Sequence, residues 1–334
     1  MVKRVLIGIL TVYSLIAFGY SMGLAKINQQ LREYRDPESA LLWSFLATGG
    51  HISGNATYHI TSYKGTSGIE SELKFPLNNS LLGIEGSLHY KNPNNGQDKA
   101  KLSIGWYTNT SDYAGKLKDS DWLSNDLDIV LTGSAHSGKD IYSESDAEVR
   151  ANIIDVRYVY NFYSTKILNI GSVIGYKRQK FEYDASNVDQ IGYGPYVHYQ
   201  TVSVLGPVLD YEVEHSIPYL GLSAEVLSGN RFRLNVRAVY SPRTWAHDRD
   251  DHILRYKLSK GNCEGNAYFV TMNANWKFSS NWLLQIGGEY TGINTEGTQY
   301  QEFYAGSHMG ESYTVEDRIT SSILMGFVGF EYRF

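Results

Sequence analysis

Cysteine is almost missing: Cys263 is the one thiol in 334 residues. No intramolecular disulfide staples this chain, so its stability has to come from backbone hydrogen bonding and packing. A cationic excess is also lacking. Lys and Arg number 30 against 35 Asp and Glu, for a formal charge of −5, and this balance does not point to a nucleic-acid partner. Long apolar runs are confined to the start. Met1-Val2-Lys3-Arg4 leads into a mostly apolar stretch from Val5 to Tyr20 and a small-x-small site at Gly23-Leu24-Ala25. This reads as a signal peptide over residues 1–25, because the stretch is broken by Thr11 and Ser14 and is shorter than the roughly 18–20 residues of a spanning helix. Its removal takes Lys3 and Arg4 but no acid, moving the charge from −5 to −7. Beyond it no stretch is apolar enough for a transmembrane helix, and the mean hydropathy is −0.32.

Aromatic residues are plentiful instead, with 27 Tyr, 12 Phe and 6 Trp, and apolar residues alternate with polar or small ones at period two, the signature of strands. Phe232, Leu234, Val236, Ala238 and Tyr240 share one face against Arg231, Arg233, Asn235 and Arg237 on the other. Leu82, Ile84, Leu88 and Tyr90 repeat the pattern, as do Tyr268, Val270, Met272, Ala274, Trp276 and Phe278. A sandwich would turn the charged faces to water and show short loops at both ends. A membrane barrel turns the apolar faces to lipid, with short turns at one end and long loops at the other. Short connections near 91–97, 163–166, 228–230 and 279–281 alternate with long polar ones near 112–146, 184–210, 246–262 and 294–317. The expectation is an all-β chain: a transmembrane antiparallel up-and-down β-barrel of about ten strands. It spans residues 49–334, with a periplasmic segment at 26–48 before it. The last segment, ending in Tyr332 and Phe334, resembles the assembly signal of bacterial outer-membrane barrels and places the chain in a Gram-negative outer membrane. Inward Arg231, Arg233 and Arg237, with Glu85, Glu289 and Glu331, are expected to fill the lumen as a charge network.

Two polar clusters fall in outer connections four strands apart, nearly diametric in a closed sheet of about ten strands: Asp119-Ser120-Asp121-Trp122 and Asp248-Arg249-Asp250-Asp251-His252. A histidine held by a carboxylate two residues away is oriented and made more basic, which suits a general base. Two carboxylates at i and i+2 of an extended segment share a side and repel, so that one holds a proton. A water between Asp250/His252 and Asp119/Asp121 is then placed to attack a carbonyl, with no serine or cysteine nucleophile. The same residue types suit a divalent ion. Arg249 opposes a cation there, however, and the run lacks the glycine and terminal Glu of a calcium loop, so no metal is expected. Glycoside hydrolysis is disfavoured by the adjacent histidine. His89, His136, His198 and His247 are read as ordinary hydrogen-bonding groups.

The pairing of Asp-x-Asp-Trp with Asp-x-Asp-x-His resembles the omptin family of outer-membrane endopeptidases. Further similar stretches are Ile52-Ser53-Gly54, Ser71-Glu72-Leu73-Lys74-Phe75, Leu102-Ser103-Ile104-Gly105-Trp106 and Ile217-Pro218-Tyr219-Leu220-Gly221-Leu222, so the resemblance covers residues 50–334. It implies a ten-stranded barrel that hydrolyses peptide bonds at its extracellular mouth, with Asp119, Asp121, Asp250 and His252 as catalytic residues. Asp248 corresponds to an acid that binds a basic side chain before the scissile bond. Tyr58 stands where the family has a second acid of that pocket. Tyr176, Arg178 and Lys180 fall within the family's lipopolysaccharide site, where Glu214 replaces another basic residue, so the expected contact is weak. Peptide or protein substrates, outer-membrane lipid and a monomeric state are implied, with no cofactor beyond lipopolysaccharide as an activator. The alternative reading is a noncatalytic barrel, an adhesin or a narrow porin, and Tyr58 favours it.

Overall fold

The computed structural model describes residues 41–334 apart from 65–66, 93–95, 124–137, 194–201 and 230. The alternating segments become eleven antiparallel strands among these residues: β1 (Leu41–Lys64), β2 (Ser67–Lys91), β3 (Asp98–Asn109), β4 (Tyr113–Leu123), β5 (Ile141–Ser164), β6 (Leu168–Gly192), β7 (Val202–Ser228), β8 (Phe232–His252), β9 (Lys257–Lys277), β10 (Trp282–Phe303) and β11 (Ser312–Arg333). β3 and β4 lie end to end, each paired with both β2 and β5. They therefore fill one place in a ring that closes through β1 against β11, and the ring has the ten places expected from the sequence.

The expected signal peptide and residues 26–40 of the periplasmic segment lie outside the described residues. β1 begins at Leu41, ahead of the barrel start expected at residue 49. Leu41, Trp43 and Phe45 already alternate outward, and the ladder with β2 starts at Leu41 opposite Tyr90.

The short turns fall where expected, whereas strand extends into each of the expected long connections. β8 and β9 are separated only by Ile253–Tyr256, and strand reaches into the other expected loops over 113–123 and 141–146, 184–192 and 202–210, and 294–303 and 312–317; residues 124–137 and 194–201 of them lie outside the described residues. The physical reason is an inversion of polarity along each strand. β5 carries Asp155 and Arg157 inward and Tyr158 and Tyr160 outward near the turns, yet further on it carries Ala147 and Val149 inward and Glu148 and Arg150 outward. Inside lipid the apolar face points out; beyond lipid it points in, as in a water-soluble protein.

That inversion marks the membrane boundary. Exposed Ile84, Ile104, Leu220, Leu222, Val236, Met272, Ile286 and Val328 form a lipid-facing band. Trp43, Tyr90, Tyr160, Trp276 and Trp282 border it at the turn end, and Trp106, Tyr176, Tyr240, Tyr268 and Tyr290 border it at the other, as aromatic girdles do. Above the second girdle the outward face carries ion pairs, including Arg150–Glu182 at 3.2 Å, Arg243–Glu264 at 2.7 Å and Lys116–Asp146 at 2.8 Å. At about 3.3 Å rise per residue and a tilt near 40°, β8 lifts His252 roughly 25–30 Å beyond Tyr240.

The lumen is filled in two layers. Near the membrane, Glu85 pairs with Arg157, Glu289 with Lys177 and Arg237, and Glu331 with Arg333. The cavity left among the groups around Arg157, Arg237 and Glu289 is about 60 Å³. The expected charge network is present with two changes: Arg233 reaches Glu225 (3.8 Å), and Arg231 sits exposed at the turn end. Above this layer lies a second one that the alternation did not announce. Ile52, Tyr58, Leu73, Phe75, Leu77, Phe181, Tyr183, Tyr211 and Ile319 belong to one apolar cluster, with Phe75 stacked on Tyr211 at 4.2 Å. This plug closes the lumen and forms the floor of the mouth.

Candidate active site

Both polar clusters sit on strands that outrun the membrane, not in loops. On β8 the inward face is odd-numbered as far as Val239 and Ser241 and even-numbered from Thr244 through Ala246, Asp248, Asp250 and His252, all buried. The switch is a β-bulge between Ser241 and Thr244, which adds one residue to the strand. Pro242 lies within it, at a site where the missing N–H breaks no ladder bond. Thr244 Oγ1 donates to Ser241 Oγ (3.0 Å), and Ser241 Oγ donates to the Arg243 carbonyl (3.1 Å), pinning the bulge. Without it Asp248, Asp250 and His252 would share a face with Phe232 and Val236.

Asp250 is fully buried, and His252 Nε2 approaches its Oδ2 to 2.8 Å. The approach is off the line of a strong hydrogen bond, so among the described residues neither Asp250 oxygen receives a well-aligned donor. Asp119, Asp248, Asp250, His252 and Asp317 all lie beyond the lipid-facing band. Burial pulls the His252 pKa below its ordinary value despite Asp250, which pulls it upward; the imidazole is thus held neutral, with a ring nitrogen free to accept a proton. On β4, Asp119 and Asp121 alternate inward together. Asp121 is opposite Ser71 in the ladder, and Ser71 Oγ is 3.5 Å from Asp119 Oδ1. Burial, then repulsion from Asp121 and from Asp250 across the mouth, raises Asp119 to about 7. Trp122 is not part of this face; Lys139 lies over its ring at 5.7 Å.

Beneath Asp250 is a second acid group. Asp248 accepts from Gln299 Nε2 (3.1 Å), while among the described residues its other oxygen has no donor besides the Asp317 carboxyl. Asp317 of β11 accepts from the Cys263 thiol at 3.2 Å. Burial and the charge of Asp317 hold the Asp248 pKa well above the carboxylate range, and burial raises Asp317 to about 6. The two carboxyls thus share a proton. Gly261 makes room for them, since a Cβ there would lie 2.5 Å from Asp317 Oδ2. Tyr58 is 0% exposed, its hydroxyl has no partner among the described residues, and its ring is 5.7 Å from that of Tyr211. It lines the floor within reach of the Asp248, Asp250 and Asp317 charges. Two groups escaped sequence reasoning: Asp317, whose β-ladder register places it beside Ile60 of β1, and Lys257, the cross-strand mate of His252.

The expected lipopolysaccharide residues lie on the outward face, already engaged. Arg178 donates a two-pronged bond to Glu214 (2.7 and 2.5 Å), Lys180 pairs with Glu182 (2.7 Å) and Glu212 (3.0 Å), and the Tyr176 hydroxyl meets Ser216 Oγ at 2.9 Å. His89 and His247 serve as hydrogen-bonding groups, to Ser44 and Asp98 and to Asn262. His136 and His198 lie outside the described residues.

A closed barrel, girdled for lipid and lifting an acid-lined mouth beyond the bilayer, defines an integral outer-membrane β-barrel of the Gram-negative type. The omptin family model matches residues 46–334, and the chain belongs to the omptin family. It is 24% identical over 227 residues to a plasminogen activator of Yersinia pestis, a match covering 66% of this chain and 64% of that protein. The crystal structure of the outer membrane protease OmpT from Escherichia coli superposes with a TM-score of 0.68 at 16% identity, covering 88% of this chain and 97% of that one.

Proposed function

We propose that this chain is an endopeptidase of the outer-membrane surface that hydrolyses peptide bonds with a water activated by Asp250 and His252 and positioned by Asp119 and Asp121. The observation that carries the reading is Asp250: a fully buried carboxylate with no well-aligned donor among the described residues, 2.8 Å from a buried histidine held neutral. A water bound there loses its proton to the His252–Asp250 pair. Asp119, which titrates near neutrality, supplies a carboxyl on the opposite wall able to hold either a proton or a water. The membership of the family and the names of its relatives support the same chemistry.

Asp248 and Asp317 together supply two carboxyl groups below the scissile bond, so the pocket suits a basic side chain even though Tyr58 is no acid. Lipopolysaccharide contact at Tyr176, Arg178 and Lys180 is weak in this reading, because both cations are already met by carboxylates. The apolar plug under the mouth weighs against the narrow porin.

The test is a purified, lipopolysaccharide-supplemented sample incubated with a diverse peptide library, in wild-type, Asp250→Asn and His252→Ala forms with and without chelator. Cleavage by wild type that survives chelation and disappears in both variants is expected. Full activity in either variant, or silence of the folded wild type, overturns the proposal.

A further inference from the structure

Lys257 is a buried cation in a mouth otherwise lined by acids, and nothing in the activation of water uses it. It enters through the turn after β8. Ile253–Arg255 forms one 3-10 turn and Tyr256 takes a left-handed backbone (φ 51°), which returns the chain so tightly that Lys257 is paired directly with His252. Both side chains therefore point inward at the same height. Arg255, the neighbouring cation, is exposed.

The ammonium is aimed but not neutralised. Its hydrogen bond among the described residues goes to a neutral acceptor, Gln301 Oε1, at 3.3 Å. Asp250 on β8 and Asp119 and Asp121 on β4 all bear on it electrostatically, yet among the described residues no carboxylate is in ion-pair contact with it. Gln301 is in turn held: its Nε2 donates to Gln299 Oε1 (2.6 Å), and Gln299 Nε2 donates to Asp248 Oδ2 (3.1 Å). Gln299 and Gln301 are both buried. A donor chain thus runs from Lys257 through two glutamines to the acid pair on the floor, and it fixes the buried ammonium at the height of His252. A charge fixed in a dry site in advance stabilises developing charge far better than one that must reorganise.

We propose that Lys257 is a catalytic residue of this site, its ammonium stabilising the oxyanion formed when the activated water adds to the peptide carbonyl. The inference rests on the endopeptidase reading. His252 takes a proton from water, the water oxygen forms a bond to the carbonyl carbon, and the C=O π pair moves onto oxygen beside Lys257. The oxyanion then reforms the C=O bond, the C–N bond breaks, and the proton on His252 passes to the departing amine. Gln301 is a positioning residue that holds Lys257.

The test compares wild type, Asp250→Asn, Lys257→Met, Lys257→Arg and Gln301→Leu on one peptide that the wild type cleaves. Folding of each is checked by β-sheet circular dichroism in detergent. Lys257→Met is expected to lower kcat by about 10²–10³-fold, the loss that follows removal of one oxyanion donor, with KM within about threefold of wild type. Lys257→Arg, which keeps the charge, is expected to recover at least a tenth of wild-type kcat, and Gln301→Leu to lose about tenfold in kcat. A folded Lys257→Met with wild-type kcat, or one whose loss lies in KM, overturns the role of Lys257 while Asp250→Asn remains inactive. Should Lys257→Met not fold, a folded Lys257→Arg with less than a hundredth of wild-type kcat overturns it. A wild type that cleaves nothing overturns the endopeptidase reading as well.

Discussion

Gly261→Ala tests whether the acid pair on the floor of the mouth works as a unit. A Cβ at 261 would sit 2.5 Å from Asp317 Oδ2 and 2.9 Å from Asp248 Cγ. Carbon–carbon contact is comfortable at about 3.5–4.0 Å, so the Asp248 carboxyl has to recede by roughly 1 Å or more. It has little freedom to do so, because Gln299 holds one oxygen and Tyr58 and Tyr211 close the floor. Overpacking of this kind costs about 1–3 kcal/mol of stability, and a displacement near 1 Å at a binding group costs on the order of 10²-fold in efficiency. For substrates with Arg or Lys before the scissile bond, kcat/KM is expected to fall about 10–100-fold, mostly through KM, since Asp250 and His252 are untouched. Quenched fluorescent peptides differing only in that residue, with urea unfolding of the same samples in detergent, provide the readout. An alanine variant with wild-type KM for the basic peptide and unchanged unfolding midpoint would refute the reasoning.

Three further outcomes are expected. Asp119 has a native pKa near 7, raised above its free value by burial; the native state therefore binds more protons than the unfolded chain, and stability falls as pH rises from about 4 to 7. Asp119→Asn should flatten that fall in urea titrations at pH 4, 5.5 and 7, and an unchanged slope would show that another group carries it. Glu214→Lys removes the two-pronged partner of Arg178 and sets a second cation beside it, which favours phosphate; activation by lipopolysaccharide should then need a lower lipid concentration than in wild type, and an equal midpoint would exclude this face. Phe75→Ala removes a fully buried ring stacked on Tyr211, with an expected loss of about 3–5 kcal/mol and a bilayer conductance above that of wild type measured alongside; a variant as tight as wild type would mean that other side chains close the lumen.

The barrel was legible because its strongest signal is local. Lipid on one side and a filled lumen on the other force period-two alternation on every strand, and Phe232 to Tyr240 or Tyr268 to Phe278 show it without any neighbour being known. The ten places in the ring and the four turn-side connections followed from the same pattern. Where the solvent changes from lipid to water, the outward residues become charged, and a hydrophobicity pattern reads Tyr113–Leu123 or Ala246–Asn262 as loop although the ladder continues through β4, β8 and β9.

Sequence spacing alone also placed Asp119 with Asp121 on one strand face and Asp250 beside His252, because i and i+2 share a side in any extended segment. Which side they share was decided only by tertiary pairing. The bulge at Ser241–Thr244 exists because β9 keeps its own parity, and β8 has one residue too many to match it. Asp317 and Lys257 were beyond the reach of spacing for a related reason. Asp317 meets Asp248 through the closure of the ring, and Lys257 meets the opposing carboxylates across the mouth. Contacts of that kind depend on register and closure summed over the whole barrel, which no local stretch of residues encodes.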